Sequence, residues 1–272
     1  MTADTTPDYR SVTAAQQETW SEGDFHEIAR LNVGMSEEVC DFGELLAGER
    51  ILDVACGSGT AALVAARRYC EVTGIDYVPA LLDRARRRAH AEGLAAEFLE
   101  ADAQRLPFAD DSFDAALSVY GVQFAPDQHK AASEMLRVTR PGGRIVLASP
   151  MPTGWSGDFF GVHTTHNPPP DGLSSPLRWG TESGLEELLG HRTTDIVSRD
   201  RTALQFWLSV DHAVEVFWKN FGPTIRAAEM VGPDGTDALR GDLCTVFERY
   251  DRSDGPSAVV ENTWRLTVAT VV

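Results

Sequence analysis

The sequence predicts an open α/β fold, in which helices cover both faces of a mainly parallel sheet. The first observation is that residues 51–68 combine an apolar run, a turn containing Gly57 and Gly59, and an Ala-rich helical stretch. The second is that apolar, β-branched runs recur at 71–76 and 96–101, each ending in or beside an acid. Strands that alternate with helical segments in this way are typical of βαβ units.

The glycine turn after the first strand indicates a ligand site. Glycine lets the backbone turn sharply and lets a ligand approach without a Cβ in the way. The helix N-terminus that follows presents free N–H groups. Residues 57–62 also fit a loose dinucleotide fingerprint. Asp53, inside the strand, favours a ligand with an ammonium group, because its carboxylate would repel a pyrophosphate. The alternative is a plain strand–helix turn without a ligand.

Acids at the next two strand ends extend this site. Asp76 lies about 20 residues beyond the glycines, the spacing at which an acid accepts hydrogen bonds from ribose hydroxyls. Its alternative role is the N-cap of a helix predicted over 78–91. Asp102 follows the third strand. Its carboxylate can accept from the exocyclic amine of adenine, while the backbone N–H of Ala103 donates to a ring nitrogen.

The remaining elements follow from apolar runs and their periodicity. Further strands are predicted at 113–119, 145–148, 196–204 and 259–271, with a turn at 140–144. Further helices are predicted at 16–20, 26–46, 182–189 (capped by Thr181) and 238–250. Another apolar helix face is predicted over 206–225, before a turn at 232–235. Its aromatic residues either pack in the core or roof a substrate cavity.

A set of short motifs resembles the class I S-adenosylmethionine-dependent methyltransferases. They are residues 53–59, 74–76, 101–103, 106–108, 112–114 and 136–143, and together they span about 45–150. Leu106-Pro107-Phe108 and Arg140-Pro141-Gly142-Gly143 are most similar to the branch with the ubiquinone/menaquinone biosynthesis C-methyltransferases (methyltransferase type 11-like). The resemblance implies a Rossmann-like sheet of seven strands in the order 3-2-1-4-5-7-6, helices on both faces, a helical cap and S-adenosylmethionine as cofactor. It does not fix the methyl acceptor.

The resemblance also implies which residues hold each part of the cofactor. The methionine part would lie over the glycine loop, formed by Ala55, Cys56, Gly57, Ser58 and Gly59. Asp53 would hold the ammonium, Asp76 the ribose, and Asp102 with Ala103 the adenine. Ser118 would lie near the sulfonium. Aromatic or apolar packing on the adenine and the methionine end would come from Tyr77, Leu106, Trp20 and Phe25.

The charge and composition of the chain limit the kinds of molecule that it is expected to bind. The chain has 272 residues and a formal net charge of −17. Such a surface repels phosphate backbones, so we expect a small-molecule methyl acceptor and no nucleic acid. The basic run at 84–88 is expected to be a solvent-exposed helix face. The sequence shows no CxxC pair, no secretory segment and no membrane-spanning run, so we expect a cytoplasmic monomer or homodimer with reduced thiols.

A single methyltransferase domain over 1–272 is expected, with acceptor binding outside its cofactor core. The predicted parts are an N-terminal helical cap (8–46), the cofactor-binding core (47–150) and substrate-side insertions (151–180 and 203–255). We expect residues 149–179 to be irregular, because proline, glycine and threonine are frequent there.

Candidate bases are His163, His166 and Tyr120, and no metal site is expected, because Pro168 to Pro170 indicate a loop without further ligands. The function expected is methyl transfer to oxygen or carbon of a small, largely apolar molecule in biosynthesis or secondary metabolism. The alternatives are an S-adenosylmethionine-binding protein of repurposed or no methyl-transfer activity, and a nicotinamide-dependent oxidoreductase.

Overall fold

A seven-stranded sheet organises the computed structural model, which describes residues 7–272. The strands are β1 (Arg50–Val54), β2 (Glu71–Asp76), β3 (Ala96–Glu100), β4 (Phe113–Val119), β5 (Thr139–Pro150), β6 (Thr193–Trp207) and β7 (Ala258–Val271). Their order is β3-β2-β1-β4-β5-β7-β6, which confirms the prediction. β1 to β5 pair in parallel, whereas β7 is antiparallel to both β5 and β6. The carboxyl ends of the parallel strands therefore meet at one edge.

Ten helices accompany the sheet within residues 7–272. They are α1 (Tyr9–Ser21), α2 (His26–Ala29), α3 (Val33–Phe42), α4 (Thr60–Arg67), α5 (Pro79–Glu92), α6 (Gln128–Val138), α7 (Gly154–His166), α8 (Glu182–Leu189), α9 (Val210–Asn220) and α10 (Gly222–Tyr250). Thr181 caps α8 as predicted, since its hydroxyl accepts from the Gly184 N–H at 3.0 Å. In this described range, no helix is both long and apolar enough to cross a lipid bilayer.

The buried side chains form three clusters. Two lie on opposite faces of the sheet, because neighbouring strand residues such as Ile51 and Leu52 point to opposite sides. Both are fully buried, as expected for a central parallel strand covered by helices on each face. The third cluster lies among α2, α7, α9, α10 and the adjoining ends of β6 and β7. This third cluster forms a wall at the strand-end edge.

The prediction of an irregular segment at 149–179 is wrong for 154–166, which form α7. Trp155, Phe159 and His163 are spaced by four residues and are buried together against the third cluster. Helical packing of this face outweighs the helix-unfavourable glycines and threonines around it. The proline run begins only after the helix has ended.

Several other predicted elements differ in their boundaries, as the structure has α1 at Tyr9–Ser21 and β5 at Thr139–Pro150. The predicted helix at 26–46 is divided, since α2 and α3 are separated by a single 3₁₀ turn at Arg30–Asn32 and α3 ends at Phe42. The predicted turn at 140–144 lies within β5, where the register against β4 shifts. The predicted turn at 232–235 shrinks to a bend inside α10 at Gly232, whose φ is +64°.

Phe206 does not belong to the helix face predicted over 206–225. It lies on edge strand β6 with 68% of its surface exposed. The apolar face instead begins in α9, where Val214 and Phe217 are buried, and continues through Phe221 between α9 and α10. Strand pairing with β7 extends to Trp207 and outweighs the helical periodicity at this point.

Candidate active site

The loop after β1 adopts the left-handed conformation at several positions. Ala55, Gly57 and Gly59 have φ values of +56°, +53° and +78°. A Cβ on Gly59 would lie 2.9 Å from the Cβ of Ala85 and 3.1 Å from the Phe98 ring. Gly59 therefore permits close packing of α4 on α5 and β3, whereas Gly57 faces a cavity. An alanine at positive φ stores strain, which is common at ligand sites.

Asp76, at the end of β2, is hydrogen-bonded to the glycine loop. Its Oδ2 accepts from the Gly57 N–H at 2.9 Å, and its Oδ1 accepts from the Val78 N–H at 2.9 Å. The N-cap of α5 is Val78 rather than Asp76. Burial raises the pKa of Asp76 to about 6. Each carboxylate oxygen keeps a further lone pair, so Asp76 can still accept from ribose hydroxyls.

Asp53 is buried beneath the same loop. Its Oδ2 accepts from the Ala62 N–H at 2.8 Å, and desolvation by burial raises its pKa to about 8. A carboxyl in this state favours a cationic neighbour, which would restore the charged form. The neighbouring Cys56 thiol has a pKa well above its usual range, again because of burial, so it is a poor nucleophile.

Asp102 is oriented by a glutamine that the sequence prediction missed. Its Oδ1 accepts from the backbone N–H and the side-chain Nε2 of Gln104, at 2.8 and 3.0 Å. The same Nε2 also donates to Thr13 Oγ1 of α1 at 3.0 Å. A link of this kind between sequence positions 91 residues apart leaves no local signal. It fixes the N-terminal helix over the end of β3.

A cavity with about 610 Å³ of empty volume runs along these strand ends. We call it the strand-end cavity. Predicted cofactor residues in its wall are Trp20, Ala55, Gly57, Asp76, Tyr77, Asp102 and Ala103. Residues that the sequence prediction did not name include Leu81, Gln104, Gly121, Phe124 and Ala125. A smaller cavity behind the loop, with about 390 Å³ of empty volume, is lined by Asp53 and Cys56.

Ser58, Gly59 and Ser118 line neither cavity and instead shape their walls. Ser118 Oγ donates to the Val54 carbonyl at 2.7 Å and accepts from the Val122 N–H at 2.9 Å. Leu106, expected against adenine, is buried in the core under the sheet. Their direct contact with a ligand stays a prediction without support from the geometry.

The basic run at 84–88 is not simply a solvent-exposed face. Arg88 is partly buried and donates to the Ser58 carbonyl at 2.6 Å and to Thr60 Oγ1 at 3.2 Å. Ser58 Oγ also lies 2.9 Å from His26 Nδ1. α2 and α5 therefore both hold the glycine loop from behind. The loop is rigidified by side chains that a local motif does not include.

A second large cavity, with about 490 Å³ of empty volume, adjoins the first. We call it the aromatic cavity. The two share the side chains of Trp20, Phe25, Tyr120 and Phe124. The other lining residues are Ile28, Leu31, Asn32, Trp155, Phe159, Phe160, Gln205, Phe217, Phe221 and Asn262. Among residues 7–272, no Asp, Glu, Lys, Arg or His lines it.

Tyr120 stands between the two cavities. Its φ is +51°, and its hydroxyl lies 3.3 Å from Ser156 Oγ and 3.3 Å from Asn262 Nδ2. Ser156 Oγ in turn donates to Asn262 Oδ1 at 2.9 Å. Burial raises the pKa of Tyr120 to about 12. At neutral pH the hydroxyl keeps its proton, so Tyr120 orients groups rather than acting as a base.

The structure does not bring His163 and His166 to either cavity. His163 Nδ1 lies 2.8 Å from the Phe159 carbonyl and Nε2 lies 2.8 Å from Thr224 Oγ1. Burial lowers the pKa of His163 to about 4, so the ring is neutral with both nitrogens occupied. His166 pairs with Asp242 at 2.7 Å. In residues 7–272 no three His, Cys, Asp or Glu side chains are grouped as metal ligands.

Comparison with known proteins decides the family. Residues 52–147 match the model of a methyltransferase domain. A demethylmenaquinone methyltransferase from Thermus thermophilus is 45% identical over 121 residues, covering 43% of this chain and 55% of that protein. The chain belongs to the class I S-adenosylmethionine-dependent methyltransferases. The cofactor of this methyltransferase is S-adenosylmethionine.

The similarity extends beyond the matched domain. An uncharacterised protein of Mycobacterium tuberculosis is 34% identical over 247 residues, which cover 86% of each chain. A solved structure of a putative methyltransferase from Bacillus halodurans shares the fold, with a TM-score of 0.58 and 20% identity, and the match covers 86% of this chain and 97% of that one. Both matches therefore cover much more of the chain than residues 52–147.

Proposed function

We propose that this methyltransferase transfers a methyl group to a small, largely apolar organic molecule held in the aromatic cavity. The observation that carries the proposal is that this cavity adjoins the strand-end cavity through Trp20, Phe25, Tyr120 and Phe124. An acceptor there would lie beside the methionine end of a cofactor whose ribose is bound by Asp76. The lining is aromatic and uncharged among the described residues, which favours a neutral, apolar acceptor.

Most of the wall of the aromatic cavity comes from the segments predicted to surround the acceptor, and the rest is Tyr120, Phe124 and Asn262. Residues 8–46 contribute five side chains, among them Phe25 and Ile28. Residues 151–180 contribute Trp155, Phe159 and Phe160, and residues 203–255 contribute Gln205, Phe217 and Phe221. This distribution supports our division of the chain into a cofactor core and acceptor-side segments.

The chemistry needs little from the protein beyond positioning. Methyl transfer from the sulfonium is an in-line displacement, and the leaving thioether needs no acid. Holding donor and acceptor in line supplies about 7 kcal/mol or more of the barrier. Tyr120 is the one titratable side chain in the described lining of the aromatic cavity, and its proton is retained. We infer that the methyl group goes to a neutral oxygen or an activated carbon, whose proton passes to solvent as the bond to the methyl carbon forms.

The proposal is tested by incubating the protein with S-adenosylmethionine that carries an isotope-labelled methyl group. The acceptors are an organic-solvent extract of small molecules and, separately, tRNA and duplex DNA. We expect label in an organic-soluble product that has gained the mass of one CH₂ group. Label in nucleic acid would contradict the proposal. Cofactor binding without any labelled product would favour the repurposed cofactor-binding protein.

A further inference from the structure

Two side-chain amides face the same side of the antiparallel strand pair β6–β7. Gln205 pairs with Val260, and Asn262 pairs with Ala203, so the two amides are diagonal neighbours across the strands. Both line the aromatic cavity and both are buried, at 6% and 1% exposure. The two side chains therefore carry the same functional group at neighbouring positions on one face of the sheet.

The two amides differ in their partners. Asn262 Oδ1 accepts from Ser156 Oγ, and Asn262 Nδ2 lies 3.3 Å from the Tyr120 hydroxyl. Gln205 Oε1 has no hydrogen-bond partner among residues 7–272, although it is fully buried. An unpaired buried amide oxygen is destabilising, because it has lost its hydrogen bonds to water without gaining others. Asn262 is thus part of the protein's own network, whereas Gln205 carries free hydrogen-bonding capacity.

A second unpaired polar atom belongs to the same wall. Trp155 Nε1, a donor, is buried and has no partner within the described residues. A ligand that complements this wall offers a donor to Gln205 Oε1 and an acceptor to Trp155 Nε1. A hydroxyl group has one donor and two acceptor sites. Since no charged side chain lines this part of the described structure, a neutral hydroxyl fits better than a carboxylate or an ammonium group.

We propose that Gln205 determines acceptor specificity by hydrogen-bonding a hydroxyl group of an otherwise apolar acceptor. The inference rests on the proposed function, because it assumes that the aromatic cavity holds the acceptor. It narrows the substrate class to hydroxylated apolar molecules. Their methyl ethers cannot donate to Gln205 and are bound more weakly.

The test compares three aromatic probes on protein saturated with S-adenosylhomocysteine: β-naphthol, its methyl ether and β-naphthoate. Dissociation constants are measured by ligand-observed NMR up to the solubility limit of each probe. We expect β-naphthol to bind about tenfold more tightly than the ether, the effect of one buried hydrogen bond. The anionic β-naphthoate should bind most weakly.

Gln205→Met keeps the side-chain length and removes the amide. We expect it to bind β-naphthol and the ether equally and to fold at least as stably as the wild type, since it removes an unpaired polar atom. The matched control is Phe206→Leu, one residue along the same strand but facing solvent, which should keep the tenfold preference.

Three outcomes overturn the inference: equal affinity of the wild type for alcohol and ether, a preference that persists in Gln205→Met, or no binding of any probe to the loaded protein. Calorimetry with S-adenosylhomocysteine alone is done first. Failure at that step refutes the proposed function, whereas failure of the probe series on cofactor-loaded protein refutes only the role of Gln205.

Discussion

The strand-end cavity and the aromatic cavity are built in different ways. The acids of the first, Asp76 and Asp102, follow consecutive strands, and backbone N–H groups such as that of Gly57 fix their orientation. The second is assembled from side chains as distant in sequence as Trp20 and Asn262. The cofactor side therefore depends on short local motifs, and the acceptor side depends on tertiary packing. Such a division lets one cofactor site serve many acceptors.

The largest expected effect is a loss of stability when the packing in the wall of the aromatic cavity is disrupted. Phe159 is 1% exposed and contacts six aromatic rings, those of Trp155, Phe160, His163, Phe217, Phe221 and Phe247. Phe159→Ala should lower the free energy of unfolding by about 3–5 kcal/mol, measured by urea denaturation. The exposed Phe206→Ala is the control and should change it by less than about 0.5 kcal/mol.

If Phe159→Ala lowers the free energy of unfolding by no more than Phe206→Ala does, the aromatic side chains around Phe159 do not pack as described. Where the variant is still folded, its affinity for S-adenosylhomocysteine should stay close to that of the wild type. A loss of affinity as large as the loss of stability would show that the two cavities are not separable.

The next effect concerns His163, whose folded-state pKa is lowered by burial to about 4 from 6.5. Between these two values the unfolded chain binds more protons, so the free energy of unfolding falls as the pH falls from 6.5 to 4. The contribution of this histidine is on the order of 3 kcal/mol. His163→Gln should flatten this part of the pH–stability curve, measured by urea titration at several pH values.

The same variant separates a structural role of His163 from a catalytic one. Because His163 lines neither cavity, His163→Gln should leave the turnover rate and its pH dependence close to those of the wild type once an acceptor is known. If the rate instead falls by about 10²–10⁴-fold and its pH dependence near neutrality changes, His163 is the general base.

On the cofactor side, Asp76→Ala should weaken S-adenosylhomocysteine binding by about 1.5–3 kcal/mol, because hydrogen bonds to a charged group are lost. That corresponds to roughly a ten- to hundredfold higher dissociation constant, measured by calorimetry. Asp83→Ala, on the exposed side of α5, is the matched control and should bind like the wild type. Equal affinity of Asp76→Ala and the wild type would remove Asp76 from the cofactor site.

The smallest effect is expected at the boundary between the cavities. Tyr120→Phe removes one hydroxyl from the network with Ser156 and Asn262, which should cost about 1 kcal/mol of stability. The turnover rate should fall by less than about tenfold, because the protonated hydroxyl does not act as a base. A loss of about 10²-fold or more, together with a changed pH profile, would make Tyr120 catalytic.

The same comparison explains what the sequence could predict. The positions of Asp53, Asp76 and Asp102 at strand ends follow from patterns within a few residues of each acid, whereas the order of the strands was implied by the resemblance to the family. Gln104 and Arg88 support that site through contacts with Thr13 and Ser58, which no local pattern records.

The acceptor side was harder to predict because the amino-acid composition around helix α7 is typical of a loop. The spacing of Trp155, Phe159 and His163 was the available signal, and it became decisive only once their packing partners were known. The same packing accounts for the two hydrogen bonds that hold His163 in the core, away from both cavities.

Both cavities have the roles proposed for them only if S-adenosylmethionine binds along the strand ends with its ribose on Asp76. The most direct measurement is calorimetric titration of the purified protein with S-adenosylhomocysteine and, separately, with NAD. We expect saturable one-to-one binding of S-adenosylhomocysteine and no binding of NAD. Binding of NAD in place of S-adenosylhomocysteine, or no heat from either ligand, would contradict this expectation.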